Sequence, residues 1–201
     1  MFNERGSWSK RIREAIHPTP VKQRINNCLF KLKLQQRKLE RASYQMQQRD
    51  QALYGKCVFA TQAKNNQAAS VYANECAELR KMAKVVLHSG MALEMVTLRL
   101  QTIRDFGEIA YAMKPVAHVV GILKSELQGV LPEVSMELAE VNETLEGMAI
   151  EVGEATDTSF DTTASSEEAH QILQEANAVA EQKMKERFPE LPPIPAREAH
   201  M

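Results

Sequence analysis

Histidine and cysteine are the side chains in this chain best suited to binding metal or attacking a substrate. The histidines are scattered, and none has a cysteine or a second histidine at metal-ligand spacing. They are His17, His88, His118, His170 and His200. Cys28, Cys57 and Cys76 show no Cys-x-x-Cys spacing, which indicates small, reduced core residues of a cytosolic protein. The sequence therefore predicts no metal site.

Carboxylates are concentrated in one amphipathic stretch near residues 133–152. Glutamates recur there on the face opposite the apolar residues, which indicates a solvated helix surface rather than a paired acid and base. They are Glu137, Glu140, Glu143, Glu146 and Glu151. Phosphate-binding and nucleophile-elbow motifs are missing from the sequence. We expect a protein that is not an enzyme and that needs no cofactor.

Composition and charge favour long helices with an uneven charge distribution. Aromatic residues make up only 5% of the chain, whereas helix-forming residues dominate it. Residues 1–56 have a net charge of +9 and residues 121–201 a net charge of −12. No apolar run is long enough to span a bilayer, and the basic N-terminus lacks the apolar core of a secretory signal. This polarity suggests an anionic partner for the first part.

Heptad spacing predicts the elements that position these charges. Apolar residues recur at intervals of seven from Ile25 to Ala60 and again from Tyr72 to Leu100. Thr19 and Pro20 resemble a helix start, Lys64-Asn65-Asn66 a tight turn, and Pro115 a helix end. The prediction is an all-α fold with no sheet, built on a long antiparallel helical hairpin over residues 20–113.

Shorter elements are expected after the hairpin. Apolar stripes predict helices over 116–131 and 133–152, which complete a helical core spanning 19–152. A stretch rich in Thr, Ser and Asp, 153–165, predicts a flexible linker. Ser165 and Glu168 resemble a capping box that starts a last helix over 166–187.

The basic front of the chain suggests a membrane-binding surface. Residues 1–17 form an amphipathic segment with a tryptophan suited to the headgroup level. Its proposed membrane-binding residues are Phe2, Trp8, Lys10, Arg11, Ile12, Arg13 and Ile16. The first long helix adds Lys22, Arg24, Lys31, Lys33, Arg37, Lys38 and Arg41. The alternative is that the segment packs on the hairpin and the charges only confer solubility. Nucleic acid is a less suitable anion, because aromatic residues for base stacking are few.

The C-terminal stretch FPELPPIP, within residues 188–198, contains four prolines. Proline lacks an amide donor and fixes φ, so this stretch cannot lie inside a helix or a sheet. It suits an extended, polyproline-like ligand that docks in a groove of a partner. A solvated tail is the alternative.

These features together resemble the ESCRT-III family, and more narrowly its archaeal CdvB-like members. The resemblance lies in the basic INNCLFKLKLQQRKLER, the turn AKNNQAASVYANECAELRKMAK, the acidic second half and the proline tail. It implies a cytoplasmic, peripheral membrane protein that forms homo- and hetero-polymers with paralogues, constricts and severs membranes, and is disassembled by a AAA ATPase. The resemblance also implies a motif that binds the MIT domain of that ATPase. Its residues would be Phe188, Pro189, Leu191, Pro192, Ile194 and Pro195.

Two other readings remain open. A static coiled-coil scaffold could dimerise through the heptads without touching lipid, and bacterial membrane-stress relatives share the hairpin but usually lack the proline motif.

The charge polarity adds a further expectation. The acidic segment 133–190 folds back on the basic hairpin and hides it until lipid or a neighbouring subunit competes.

Overall fold

The computed structural model describes residues 20–106, 109–155 and 162–192. These residues form helices and connecting turns, with no strand among them, which confirms the expected all-α fold. In chain order the helices are α1 (Val21–Gln62), α2 (Asn66–Phe106), α3 (Ile109–Leu127), α4 (Pro132–Ala155) and α5 (Thr162–Arg187).

The first two helices form the long hairpin that the heptads predict. Seam residues such as Ile25, Leu32 and Leu93 are fully buried, so the two apolar stripes face each other. The turn differs in detail from the expectation, because the residue with left-handed backbone geometry is Lys64, with φ of 55°, and not an asparagine. Asn65 instead caps α2, its Oδ1 accepting a hydrogen bond from the Ala68 N–H at 3.1 Å.

Two helix ends near the hairpin base differ from the sequence expectation. Pro20 occupies the N-cap position of α1 rather than its first turn, and its carbonyl accepts the N–H groups of Gln23 and Arg24. The second helix ends at Phe106, and Pro115 lies inside α3 instead of ending a helix. A proline there removes one hydrogen bond, but its neighbours Met113 and Val116 are fully buried, so core packing holds the helix together.

The later boundaries also shift. Helix α3 ends at Leu127, short of the expected limit of 131, whereas α4 extends to Ala155, beyond the expected limit of 152. Helix α5 begins at Thr162, so Ser165 lies within the helix rather than at a capping box. The remaining interval between α4 and α5 is outside the described residues.

Helices α3 and α4 form a second, shorter antiparallel pair on the base half of the hairpin. The Ser135 hydroxyl donates to the Lys124 carbonyl at 2.7 Å and ties the pair together at its turn. Helix α4 contacts α1, and α5 contacts α2 and α3. Both acidic helices therefore lie against the basic hairpin, in a closed arrangement.

Candidate functional site

One side of α1, opposite the hairpin seam, combines exposed cations with exposed apolar side chains. We call this surface the α1 outer face, and it consists of Phe30, Lys33, Leu34, Arg37, Arg41 and Tyr44. Phe30 is 72% exposed and Tyr44 61% exposed, values that are unusual for large apolar residues in a helix with a buried seam. Sequence analysis identified the three cations but missed the three apolar residues, because only seam positions were assigned from the heptads.

A second set of basic residues on α1 faces α4. Arg24, Lys31 and Lys38 step by seven residues and pair with glutamates of α4. The Lys31 Nζ lies 2.7 Å from Glu140 Oε2, the Lys38 Nζ lies 2.6 Å from Glu133 Oε1, and Arg24 pairs with Glu151. We call these contacts the α1–α4 ion pairs. The sequence grouped seven basic residues of this helix as one lipid-binding surface. The structure places three of them on the α1 outer face and pairs three with α4, and Lys22 is exposed in the first turn of the helix.

The α1–α4 ion pairs also change how their members titrate. The hydrogen bond from Lys38 lowers the pKa of Glu133, so this contact is complete above the ordinary glutamate value and is lost as the pH falls through the lowered pKa. The hydrogen bond that Lys31 donates to Glu140 raises the pKa of Lys31, whose contribution is lost only in strong alkali. Near neutral pH, both ion pairs are therefore intact.

A buried ion pair joins the two helices of the hairpin in the half nearer to the turn. The Arg80 guanidinium donates to Asp50 through two hydrogen bonds, Nε to Oδ1 at 2.7 Å and Nη2 to Oδ2 at 2.9 Å. The Asp50 side chain is only 1% exposed. Arg80 also lies over the Phe188 ring, 5.8 Å from its centroid. Sequence analysis missed this pair, because nothing near Asp50 in the chain distinguishes it from a surface acid.

The C-terminal end of α5 is fastened to the hairpin. Phe188 is 6% exposed and packs with Ala83, Leu87 and Ala180. Nearby, the Arg187 guanidinium donates to the Ser43 hydroxyl at 3.3 Å. Phe188 was expected to contact an ATPase, and in this arrangement it is covered by the chain itself. Within the proline motif, Leu191 and Pro192 are half-buried and Pro189 is exposed.

Several predicted site residues lie outside the described residues. The whole amphipathic N-terminal set belongs to this group: Phe2, Trp8, Lys10, Arg11, Ile12, Arg13 and Ile16. The same holds for Ile194 and Pro195 of the proline motif. Their proposed roles in membrane and ATPase binding stay predictions.

The three cysteine thiols lie in the core of the protein. Cys28, Cys57 and Cys76 are buried free thiols, and burial raises the pKa of Cys28 and Cys76 to about 11. Across residues 20–106, 109–155 and 162–192, no cluster of three or more His, Cys, Asp or Glu side chains is arranged to hold a metal ion. Over the same residues, no helix is both long and apolar enough to cross a membrane.

Comparison with known proteins adds to this geometry. The family model for Snf7, the ESCRT-III domain, matches residues 29–199. Cell division protein B1 of Sulfolobus acidocaldarius is 42% identical over 173 residues, which cover 86% of this chain and 81% of that protein. Cell division protein B of the same organism is 33% identical over 172 residues, 86% of this chain and 66% of that protein. No solved structure matches the chain significantly. The chain therefore belongs to the Snf7, or ESCRT-III, family and is similar to its archaeal CdvB members.

Proposed function

We propose that this protein is a cell-division ESCRT-III subunit that assembles with itself and with paralogues into filaments on anionic membranes. Such filaments would constrict and sever the membrane, and a AAA ATPase would disassemble them. Family membership supports this role, as do the names of the two Sulfolobus relatives, both described as cell division proteins. The observation that carries the membrane part of the proposal is the α1 outer face.

Exposed cations and exposed apolar groups on one helix face suit a surface that lies on phospholipid. Lys33, Arg37 and Arg41 can each gain about 1 kcal/mol near an anionic leaflet, an attraction that salt screens. Phe30 and Leu34 can insert between headgroups, since both are already exposed to water in the closed form. A static coiled-coil scaffold does not require cations and large apolar groups to be interspersed on one solvent-facing side of a helix.

Flotation with vesicles that contain anionic lipid tests this assignment. The test variant carries Lys33→Glu, Arg37→Glu and Arg41→Glu, and we expect it to lose most vesicle binding at low salt. The matched control carries Arg49→Glu and Lys56→Glu plus Lys64→Glu, the same charge change on the same hairpin but near its turn. Equal loss in both variants would indicate general charge attraction and would refute a specific outer face.

The closed arrangement supports a second part of the proposal, that the acidic helices restrain the basic hairpin before assembly. Three basic residues of α1 are occupied by glutamates of α4, and Lys84 of α2 pairs with Glu181 of α5 at 2.9 Å. Anionic lipid competes for the same cations and would shift the population toward an open form. Removal of residues 153–201 takes away α5 and its pair with Lys84 but leaves the α1–α4 ion pairs in place. We expect this deletion to strengthen vesicle binding and filament formation, and unchanged behaviour would exclude restraint by α5.

The proline motif is the proposed handle for the MIT domain of the ATPase. Leu191 and Ile194 would fill apolar positions of the partner's groove, with Pro192 and Pro195 holding the segment extended. Replacing Leu191 and Ile194 by Asp should abolish binding of the ATPase in a pull-down while vesicle binding continues. Phe188 is buried against α2, so in this proposal it becomes accessible to the ATPase only after α5 leaves the hairpin.

A further inference from the structure

His88 lies where α2, α3 and α5 meet, and both of its ring nitrogens face acceptors. The Nδ1 atom is 3.1 Å from Oε2 of Glu126 on α3. The Nε2 atom is 3.2 Å from the backbone carbonyl oxygen of Leu173 on α5. The side chain is only 14% exposed, so water has little access to either nitrogen.

The two contacts require two protons on the ring. A carboxylate and a carbonyl only accept hydrogen bonds, and a neutral imidazole carries a single N–H. Only the imidazolium form of His88 can donate to Glu126 and Leu173 together. When the ring loses a proton, one nitrogen turns its lone pair toward an oxygen, and that contact becomes repulsive. We propose that His88 is a proton-operated clasp, which in its charged form holds α5 against α2 and α3 and which releases α5 as the pH rises.

The charged groups around the ring agree with this assignment. Glu126 approaches from α3, and Lys84 lies one turn earlier on α2, where it pairs with Glu181 of α5. The hydrogen bond to Glu126 raises the pKa of His88 above its ordinary value of 6.5, against opposing effects of burial and Lys84. Because the closed form binds the proton more tightly, its added stability is complete below pH 6.5 and is lost as the pH rises through the raised pKa.

Two other histidines, at the contact between α3 and α5, provide a control. The rings of His118 on α3 and His170 on α5 have centroids 6.4 Å apart. Both residues are exposed, and neither contacts Glu126 or the Leu173 carbonyl through a hydrogen bond shown for His88. The variant His170→Gln therefore removes a histidine from the same α3–α5 contact and leaves the clasp intact.

Hydrogen exchange on the full chain tests the clasp. Protection factors of α5 amides, corrected for the intrinsic pH dependence of exchange, are compared between about pH 5.5 and pH 8.5, the range over which a histidine changes charge. We expect α5 protection to fall by about tenfold toward alkaline pH, as a charge-assisted hydrogen bond is lost. The variant His88→Gln should abolish this pH dependence, and His170→Gln should retain it.

Further outcomes decide the proposal. If His88→Gln fails to fold, Glu126→Gln serves instead, since it removes the partner that favours the charged ring and should move the loss of protection to lower pH. Nuclear magnetic resonance titration should show His88 titrating above its ordinary value of 6.5. An α5 that stays equally protected across this range, or a pH dependence that survives His88→Gln, would overturn the clasp. The test needs no lipid, so its result is independent of the proposed membrane function.

Discussion

Reversing the charge of two glutamates on α4 tests closure of the molecule separately from its attraction to lipid. The double variant Glu140→Lys and Glu151→Lys turns two of the α1–α4 ion pairs, those with Lys31 and Arg24, into repulsive contacts. The basic residues of α1 are untouched, so any change in lipid binding must come through the position of α4 or through total charge.

The size of the effect follows from the exposure of the pairs. Glu140 and Glu151 are 66% and 49% exposed, so each attraction contributes about 0.5 kcal/mol after screening by solvent. Replacing attraction by repulsion of similar size doubles this change, which gives about 2 kcal/mol for both sites, or about 30-fold in the ratio of open to closed molecules. If only the open form binds vesicles tightly, the lipid concentration at half-binding should fall by a similar factor.

The control carries the same charge change at sites without an α1 partner. Glu143→Lys lies on the exposed side of α4 and Glu167→Lys on the exposed side of α5. Flotation curves for the two double variants, at low salt and at about 1 M salt, separate closure from charge, since salt weakens the closing contacts. Indistinguishable curves for test and control at low salt would refute the restraint by α4.

Three other changes test the packing. Asp50→Ala leaves the Arg80 guanidinium buried without its partner, and we expect a loss of about 3–5 kcal/mol in the free energy of unfolding by urea; a loss below about 1 kcal/mol would show that the pair is not buried in solution. Gln35→Leu replaces an amide whose two polar atoms are buried without hydrogen bonds, so the melting temperature should rise by several degrees, and a fall would contradict that environment. Phe188→Ala should leave the hairpin folded but raise the rate of amide exchange in α5, because an aromatic ring leaves its apolar site; unchanged exchange would mean that Phe188 does not hold α5.

The hairpin was predictable because its signal is repeated. Apolar residues recur every seven positions from Ile25 to Ala60 in the first helix and from Tyr72 to Leu100 in the second, so one mismatched residue changes little. The prediction that Pro115 ends a helix was wrong, because a single proline indicates a helix end only from its local sequence. Its place inside α3 depends on burial of Met113 and Val116 against other helices, which is a tertiary effect that local sequence does not report.

The candidate site was only partly predictable for the same reason. The basic character of α1 is a property of composition, and the sequence showed it. Which lysine faces solvent and which faces α4 depends on where α4 docks, roughly a hundred residues later in the chain. The Asp50–Arg80 pair and the two acceptors around His88 likewise join residues that are distant in sequence.

The buried Asp50–Arg80 pair sets a rule for how the hairpin can vary in length. If one helix slid past the other by a heptad, the apolar residues would stay in register. The Asp50 carboxylate, however, would be buried in the seam without Arg80 as its partner. Between that pair and Lys64, segments can therefore be lost or gained only as matched heptads, one in each helix, each pair changing the length by about 10 Å. The length of the hairpin between the Asp50–Arg80 pair and the turn can therefore change only in steps of a heptad. A survey of relatives should find that this part of the hairpin differs by multiples of seven residues in each helix.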